Sequence, residues 1–166
     1  MDKNAYLLGV LVALAGNLVH CAVGPIWIAR NVNDPLPPFA IVAGYDSNRD
    51  PIYVARASHN GEVVPAKFIP NKKLAFISWA GKEITKNDFE ILTGHEHSWH
   101  PAKGGNVPPG ALRTGHTADG EPLYVGRASF AGSLTPGKVH PSKGCMYVSY
   151  GGGEQCLKEY EVLAVP

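Results

Sequence analysis

Two side chains of opposite charge, Asp46 and Lys67, flank a segment whose pattern indicates a single hairpin. A carboxylate and an ammonium group held a sugar's width apart can accept hydrogen bonds from neighbouring hydroxyl groups and donate bonds to them. A nearby aromatic ring can cover the apolar face of the same ligand, and the ring candidates are Tyr45, Trp79 and Trp99. The other interpretation is a plain Asp–Lys salt bridge across the hairpin. The residues alone leave both open.

The stretch that carries this pair occurs twice in the chain. When the sequence is shifted against itself by 71 residues, 20 of the 56 positions from 37 to 92 are identical to their counterparts. Lys67 is matched by Lys138, whereas Asp46 is matched by Thr117. We therefore predict a tandem duplication.

Short strands must position these side chains. The segments PIYVARAS and PLYVGRAS alternate with period two, and aromatic and β-branched runs recur between glycines and prolines. This pattern predicts an all-β fold made of two tandem β-rich repeats of about 70 residues with short antiparallel strands. Each copy is expected to be a meander of four or five strands, with Thr93–Gly105 as the linker. A unit of this size buries little apolar area, so we expect the copies to share their burial around a pseudo-two-fold axis, with a homodimer as a further possibility.

The start of the chain differs in composition. A lysine is followed by the apolar run LLGVLVALAGNLV, which is short for a membrane span and has the layout of a secretory leader. We expect residues 1–21 to be a signal peptide, 25–93 the first repeat and 94–166 the second. The expected location is extracellular, with no membrane span. An uncleaved anchor and a buried first helix are the alternatives.

Cys145 and Cys156 would remain after removal of such a leader. An oxidising compartment permits a disulfide, but two separate buried thiols fit the sequence equally well. Their counterparts in the first copy are Leu74 and Thr85, so a bridge would be peculiar to the second copy.

Other chemistries find less support. A formal net charge of +1 with no basic stripe argues against a nucleic-acid partner. The histidines of HEHSWH lack the spacing of a zinc site, and we expect neither a metal nor a cofactor. Four carboxylates recur in the two copies, and they fit acid–base chemistry and structural pairing with Arg56 and Arg127 equally well; they are Glu83, Glu90, Glu154 and Glu161.

The motifs together resemble the DM-nine repeat family. They include TADGEPLYVGRA, GSLTPGKVHP and EYEVL in the second copy, and PPFAIVAGYD, PIYVARA and DFEIL in the first. The resemblance runs from Trp27 to Leu163. It implies a metal-independent, all-β lectin that binds mannose-containing glycans on microbial surfaces and serves in innate immunity.

By this resemblance, the sugar contacts fall on Asp46 and Lys67, with Tyr45 and Lys138 as further ligand-binding candidates. Thr117 in place of the carboxylate implies one strong site and one weak or absent site, unless Asp119 or Glu121 substitutes. Two rival functions remain. One is a protein-interaction module without sugar binding, and the other is a methyltransferase of a terpenoid acid, for which the chain lacks a nucleotide-binding glycine motif.

Overall fold

The computed structural model describes residues 24–166, in which strands and tight turns account for most of the chain. The expected all-β fold is confirmed. Two single-turn 3₁₀ helices, Pro70–Lys72 and Pro141–Lys143, interrupt the strands. The strands are β1 (Ile26–Asn31), β2 (Val42–Tyr45), β3 (Pro51–His59), β4 (Glu62–Ile69), β5 (Leu74–Trp79), β6 (Lys82–Lys86), β7 (Asp88–Thr93), β8 (Ser98–Lys103), β9 (Arg113–His116), β10 (Pro122–Phe130), β11 (Ser133–His140), β12 (Cys145–Tyr150), β13 (Gly153–Leu157) and β14 (Glu159–Ala164).

The strands of the second half follow those of the first in the same order. From β2 onward the offset is constant at 71 residues, as Val42–Tyr45 and Arg113–His116 show. Each half has seven strands, so the expectation of four or five was wrong. Short polar strands such as β6 were missed because they carry no clear hydrophobic alternation. The duplication itself stays a prediction from the sequence.

The segment expected to be a linker also contains a strand. Within Thr93–Gly105, the residues of β8 pair with β14 in the register Trp99↔Leu163. Pro101 lies in this strand although proline cannot donate to a sheet. Because β8 ends the strand order of the sheet, its outer edge requires no donor. The boundary expected between residues 93 and 94 falls in the connection from β7 to β8.

Blocks of three or four strands from the two halves alternate in one antiparallel sheet. β2 pairs with β11 of the other half, β9 pairs with β4, and β6 pairs with β13. Gly44 and Gly115 lie at two of these junctions. A side chain at Gly44 would collide with the Leu134 carbonyl, and one at Gly115 with the Val63 carbonyl. The repeated glycine therefore allows the backbones of the two halves to approach.

The hydrophobic core is also shared. A central cluster from both halves contains Ile41, Val54, Leu92, Val125 and Leu163, each 1% exposed or less. A further cluster lies within each half. The expectation of common burial is thus met, and neither half can bury this central cluster alone.

A disulfide joins Cys145 to Cys156 and so links β12 to β13. This resolves the choice between a bridge and two thiols. The hairpin of β5 and β6 in the first half has Leu74 and Thr85 at these positions and no bridge.

The residues predicted to form a signal peptide, 1–21, lie outside the described part of the chain. Within residues 24–166, no helix has the length and apolar character needed to cross a bilayer.

Candidate functional site

The Asp46 carboxylate lies in the turn after β2 and is largely buried. Its Oδ1 accepts the backbone N–H groups of Asn48 at 2.8 Å and Asp50 at 2.9 Å. Its Oδ2 accepts a bond from the Lys72 ammonium at 2.5 Å. The Lys72 bond is the main reason that the pKa of Asp46 lies below its usual value; the two backbone bonds add to the shift and burial opposes it. Asp46 is therefore a fixed anion.

The direct Asp46–Lys67 salt bridge considered as an alternative is not formed. The 3₁₀ turn Pro70–Lys72 ends with Lys72 next to the Asp46 turn, so Lys72 takes the carboxylate instead. This partner was missed because the sequence pattern does not reveal the 3₁₀ turn.

Lys67 lies on β4 and is 8% exposed. Its ammonium group donates to the Ser149 carbonyl of the second half at 2.5 Å and lies 3.5 Å from Glu83 Oε1. Burial lowers the pKa of Lys67, and the nearby Glu83 carboxylate partly offsets that shift. Lys67 thus links the two halves of the chain, and it also lines the cavity described below.

The repeated carboxylates divide into two sets. Arg56 binds Glu90 at 2.7 Å and Arg127 binds Glu161 at 2.8 Å, as expected. Glu83 and its counterpart Glu154 pair instead with Lys67 and Lys138. Pairing with the arginines, one of the two interpretations of these carboxylates, thus holds for Glu90 and Glu161 and not for Glu83 and Glu154.

A cavity of about 270 Å³ brings the predicted charged pair together without a direct bond. Asp46, Lys67 and Lys72 from the first half line it. The second half contributes residues that sequence reasoning missed, among them Ser133, Thr135 and Tyr150. Tyr150 could have been found from the repeat, since it is the counterpart of the ring candidate Trp79. We call this space the first cavity.

None of the three aromatic candidates lines the first cavity, and Trp79 lines the second cavity described below. Tyr45 is 44% exposed at the end of β2 and is not among the residues lining the first cavity. The Trp99 ring packs under the Arg127 guanidinium at 4.3 Å, a packing role repeated by Trp27 and Arg56 at 4.2 Å. Both arginine–tryptophan contacts are cation–π pairs.

A second cavity of about 310 Å³ contains Lys138 and has the related position in the other half. The Lys138 ammonium donates to the Ser78 carbonyl at 2.7 Å and lies 3.2 Å from Glu154. The second cavity is also lined by His140, Lys143, Tyr147, Glu62 and Trp79.

Neither Asp119 nor Glu121 supplies a carboxylate to the second cavity. Both are absent from its lining. Glu121 instead accepts the backbone and hydroxyl groups of Ser142 and lies 3.2 Å from His140. These contacts hold the 3₁₀ turn Pro141–Lys143, and the two Ser142 bonds are the leading reason that the pKa of Glu121 is lowered.

The histidine-rich segment shows no metal centre. Within the described range, no group of three or more His, Cys, Asp or Glu side chains could hold an ion. His95 packs against the Phe39 ring at 4.1 Å between centroids, and the Ser98 hydroxyl lies 2.8 Å from His100 Nε2.

Comparison with known proteins adds a family and a fold. A family model described as the DM9 repeat matches residues 46–157. Natterin-1 of Thalassophryne nattereri is 28% identical over 82 residues, which is 49% of this chain and 20% of that protein. The crystal structure of the nematode sperm cell motility protein MFP2B aligns with a TM-score of 0.63 at 14% identity, over 85% of this chain and 46% of that one. The chain spans less than half the length of either relative, and the MFP2B likeness shows the fold alone.

Proposed function

The chain belongs to the DM9 repeat family, and from that premise we propose that it is a metal-independent lectin that binds mannose-type glycans in the first cavity. The observation that carries the proposal is the meeting of Asp46, Lys67 and Lys72 with Tyr150 around one cavity between the halves. The proposed setting is extracellular recognition of microbial glycans in innate immunity.

The charged groups keep bonding capacity although each already has protein partners. An ammonium group has three protons, and Lys67 directs one to Ser149 and one towards Glu83. A carboxylate oxygen has two lone pairs, so Asp46 Oδ2 can accept a sugar hydroxyl beside Lys72. Vicinal hydroxyls of a hexose both donate and accept, which matches this mixture of one anion and two cations.

Tyr150 offers the apolar part of the site. Its side chain is 49% exposed, and the Phe130 ring lies edge-on to it at 5.3 Å. A partly exposed ring supported from one side can contact the apolar face of a pyranose ring.

The polar groups are held before a ligand arrives. Three hydrogen bonds fix the Asp46 carboxylate, and burial with two partners fixes the Lys67 ammonium. Little ordering entropy then remains to oppose binding. A single monosaccharide contact is weak, so we propose that two protomers facing a glycan array gain strength through avidity.

The substitution Asp46→Thr is the sharpest test because the chain itself contains that variant at Thr117. The Thr117 hydroxyl accepts the Glu121 N–H at 3.0 Å, as Asp46 accepts that of Asp50, so threonine keeps this bond of the turn. The substitution removes the charge together with the Asn48 and Lys72 contacts of the carboxylate. Loss of a charge-assisted bond of about 1.5–3 kcal/mol predicts a fall in mannose affinity of about 10- to 100-fold. The measurement is calorimetry with methyl α-mannoside.

Asp119→Thr is the matched control, since it makes the same change in the exposed turn of the second half. Its binding should equal that of the wild type. Unchanged binding in Asp46→Thr would reject the first cavity as the site. A glycan array with no bound sugar would reject the lectin function in favour of a protein-interaction module.

A further inference from the structure

The second cavity contains a carboxylate in a place that the repeat does not predict. Thr117 removes the anion that Asp46 gives the first cavity, but Glu62 of the first half lines the second cavity. Its counterpart in the first cavity is Ser133. Apart from Glu154, which is paired with Lys138, the anion of the second cavity therefore comes from the half opposite to its lysines.

The lysine of the second half that corresponds to Lys72 also differs from it in its ion pairing. Lys72 is held by Asp46, whereas its counterpart Lys143 forms no ion pair within residues 24–166. The same holds for Glu62, so a ligand that binds these two groups need not break an existing pair.

The charges around the second cavity balance. Two lysines, Lys138 and Lys143, face two glutamates, Glu62 and Glu154. Lys138 is matched by Glu154 at 3.2 Å, and the His140 ring lies at the same distance from Glu121. With no excess of either sign, the lining favours a neutral ligand rich in hydroxyl groups over an anion such as a phosphate.

Trp79 replaces Tyr150 as the aromatic wall. Its ring is partly exposed, and His59 packs edge-on against it at 4.8 Å. An indole presents a larger apolar face than a phenol, which suits stacking against a pyranose ring.

We propose that the second cavity is a separate binding site for a neutral hexose, in which Glu62 accepts hydroxyl protons, Lys143 donates and Trp79 stacks on the sugar. The choice of a sugar as ligand rests on the proposed function of the first cavity, but the residues are independent of it. Each chain then has two sites of different composition in place of one.

Tryptophan fluorescence can observe this site separately. The chain has three tryptophans. Trp27 and Trp99 lie under arginine side chains, and the first cavity has a tyrosine, so a sugar-dependent change in emission reports on Trp79. The experiment titrates methyl α-mannoside, methyl α-glucoside and methyl α-galactoside into the full chain, with calorimetry alongside for stoichiometry.

The wild type should bind two equivalents of at least one sugar and change its emission. Glu62→Gln should lower the sugar affinity measured by fluorescence at least tenfold, and Lys143→Gln is an independent second variant with the same expected result. One equivalent should still bind in each variant, at the first cavity. Asp46→Thr should keep the fluorescence change and lose the other equivalent.

The remaining outcomes separate the two sites. If the wild type binds one equivalent and only Asp46→Thr loses it, the second site is overturned and the first remains. The same conclusion follows if the fluorescence titration is unchanged in both Glu62→Gln and Lys143→Gln. If the wild type binds one equivalent of sugar and only Glu62→Gln loses it, the second site is supported and the first is rejected. No binding of any of the three sugars rejects both.

Discussion

The turn after β2 and the turn after β9 have the same backbone bonds but different charges. The N–H of Asp46 donates to the Asp50 carbonyl at 2.9 Å, and that of Thr117 donates to the Glu121 carbonyl at the same distance. The side chain of each turn also accepts the N–H four residues on. A hydroxyl is therefore enough to keep the bond that both turns share. In the first half the carboxylate also accepts the Asn48 N–H, binds Lys72 and lines the first cavity.

The next acidic residue shows the opposite case, a role retained in both halves. Asp50 accepts a bond from the Asn71 side chain at 2.7 Å, and its counterpart Glu121 accepts from Ser142. Each contact ties the turn to the following 3₁₀ helix. The acidic group at this position is thus kept for the fold, whereas the change from Asp46 to Thr117 alters a cavity.

The largest expected effect tests the symmetry of the buried ion pairs. Lys67→Met and Lys138→Met should each destabilise the fold by about 3 kcal/mol, because each leaves a largely buried glutamate side chain without its cation. Lys138→Met should cost more, since Glu154 Oε1 accepts no hydrogen bond and has only Lys138 at 3.2 Å. Urea unfolding of both variants measures the difference.

The double variants Lys67→Met/Glu83→Gln and Lys138→Met/Glu154→Gln are the controls for this prediction. Each should regain part of the lost stability, because the unpaired charge is gone. If either single lysine variant unfolds at the wild-type urea concentration, the two halves are not joined by equivalent ion pairs.

The disulfide is the next largest difference between the halves. The double substitution Cys145→Leu/Cys156→Thr gives the second hairpin the residues of the first. Loss of the cross-link should lower stability by about 2–3 kcal/mol, since the loop between the cysteines is short. Thermal unfolding with and without reductant measures it.

Reductant provides the control, because it should lower the melting temperature of the wild type and leave the double variant unchanged. A double variant as stable as the oxidised wild type would show that the first hairpin's residues replace the bridge without loss.

The sequence was sufficient for the fold class and for two of the residues that line the first cavity, Asp46 and Lys67. Period-two alternation in β3 and β10 indicated strands, and Asp46 and Lys67 do line one cavity. The count of strands failed where the chain forms polar edges, as in β8, because such strands need no apolar face.

The partners of the charged groups could not be predicted for a different reason. Lys67 donates to Ser149, which is 82 residues away in sequence, and Tyr150 reaches the first cavity from the other half. Such contacts depend on the exchange of strands between the halves, which a local pattern does not encode. The constant offset of 71 residues was the one signal of these contacts in the sequence, since residues at corresponding positions of the two halves line the two cavities.

The smallest expected effect is on stability at acid pH, and it depends on the charge that Asp46 has and Thr117 lacks. The folded chain holds the pKa of Asp46 below its ordinary value of 3.8, so the charged form favours folding. This stability is fully present above that value and is lost as pH falls through the lower pKa of the folded state. Because Lys72 is 40% exposed, its pair with Asp46 contributes on the order of 1 kcal/mol. Urea unfolding from pH 7 to pH 2 should therefore show the wild type and Asp46→Thr converging at the acid end. Asp119→Thr, which changes a carboxyl outside these contacts, should follow the wild type throughout, and a constant gap between wild type and Asp46→Thr at every pH would mean that the charge of Asp46 does not stabilise its turn.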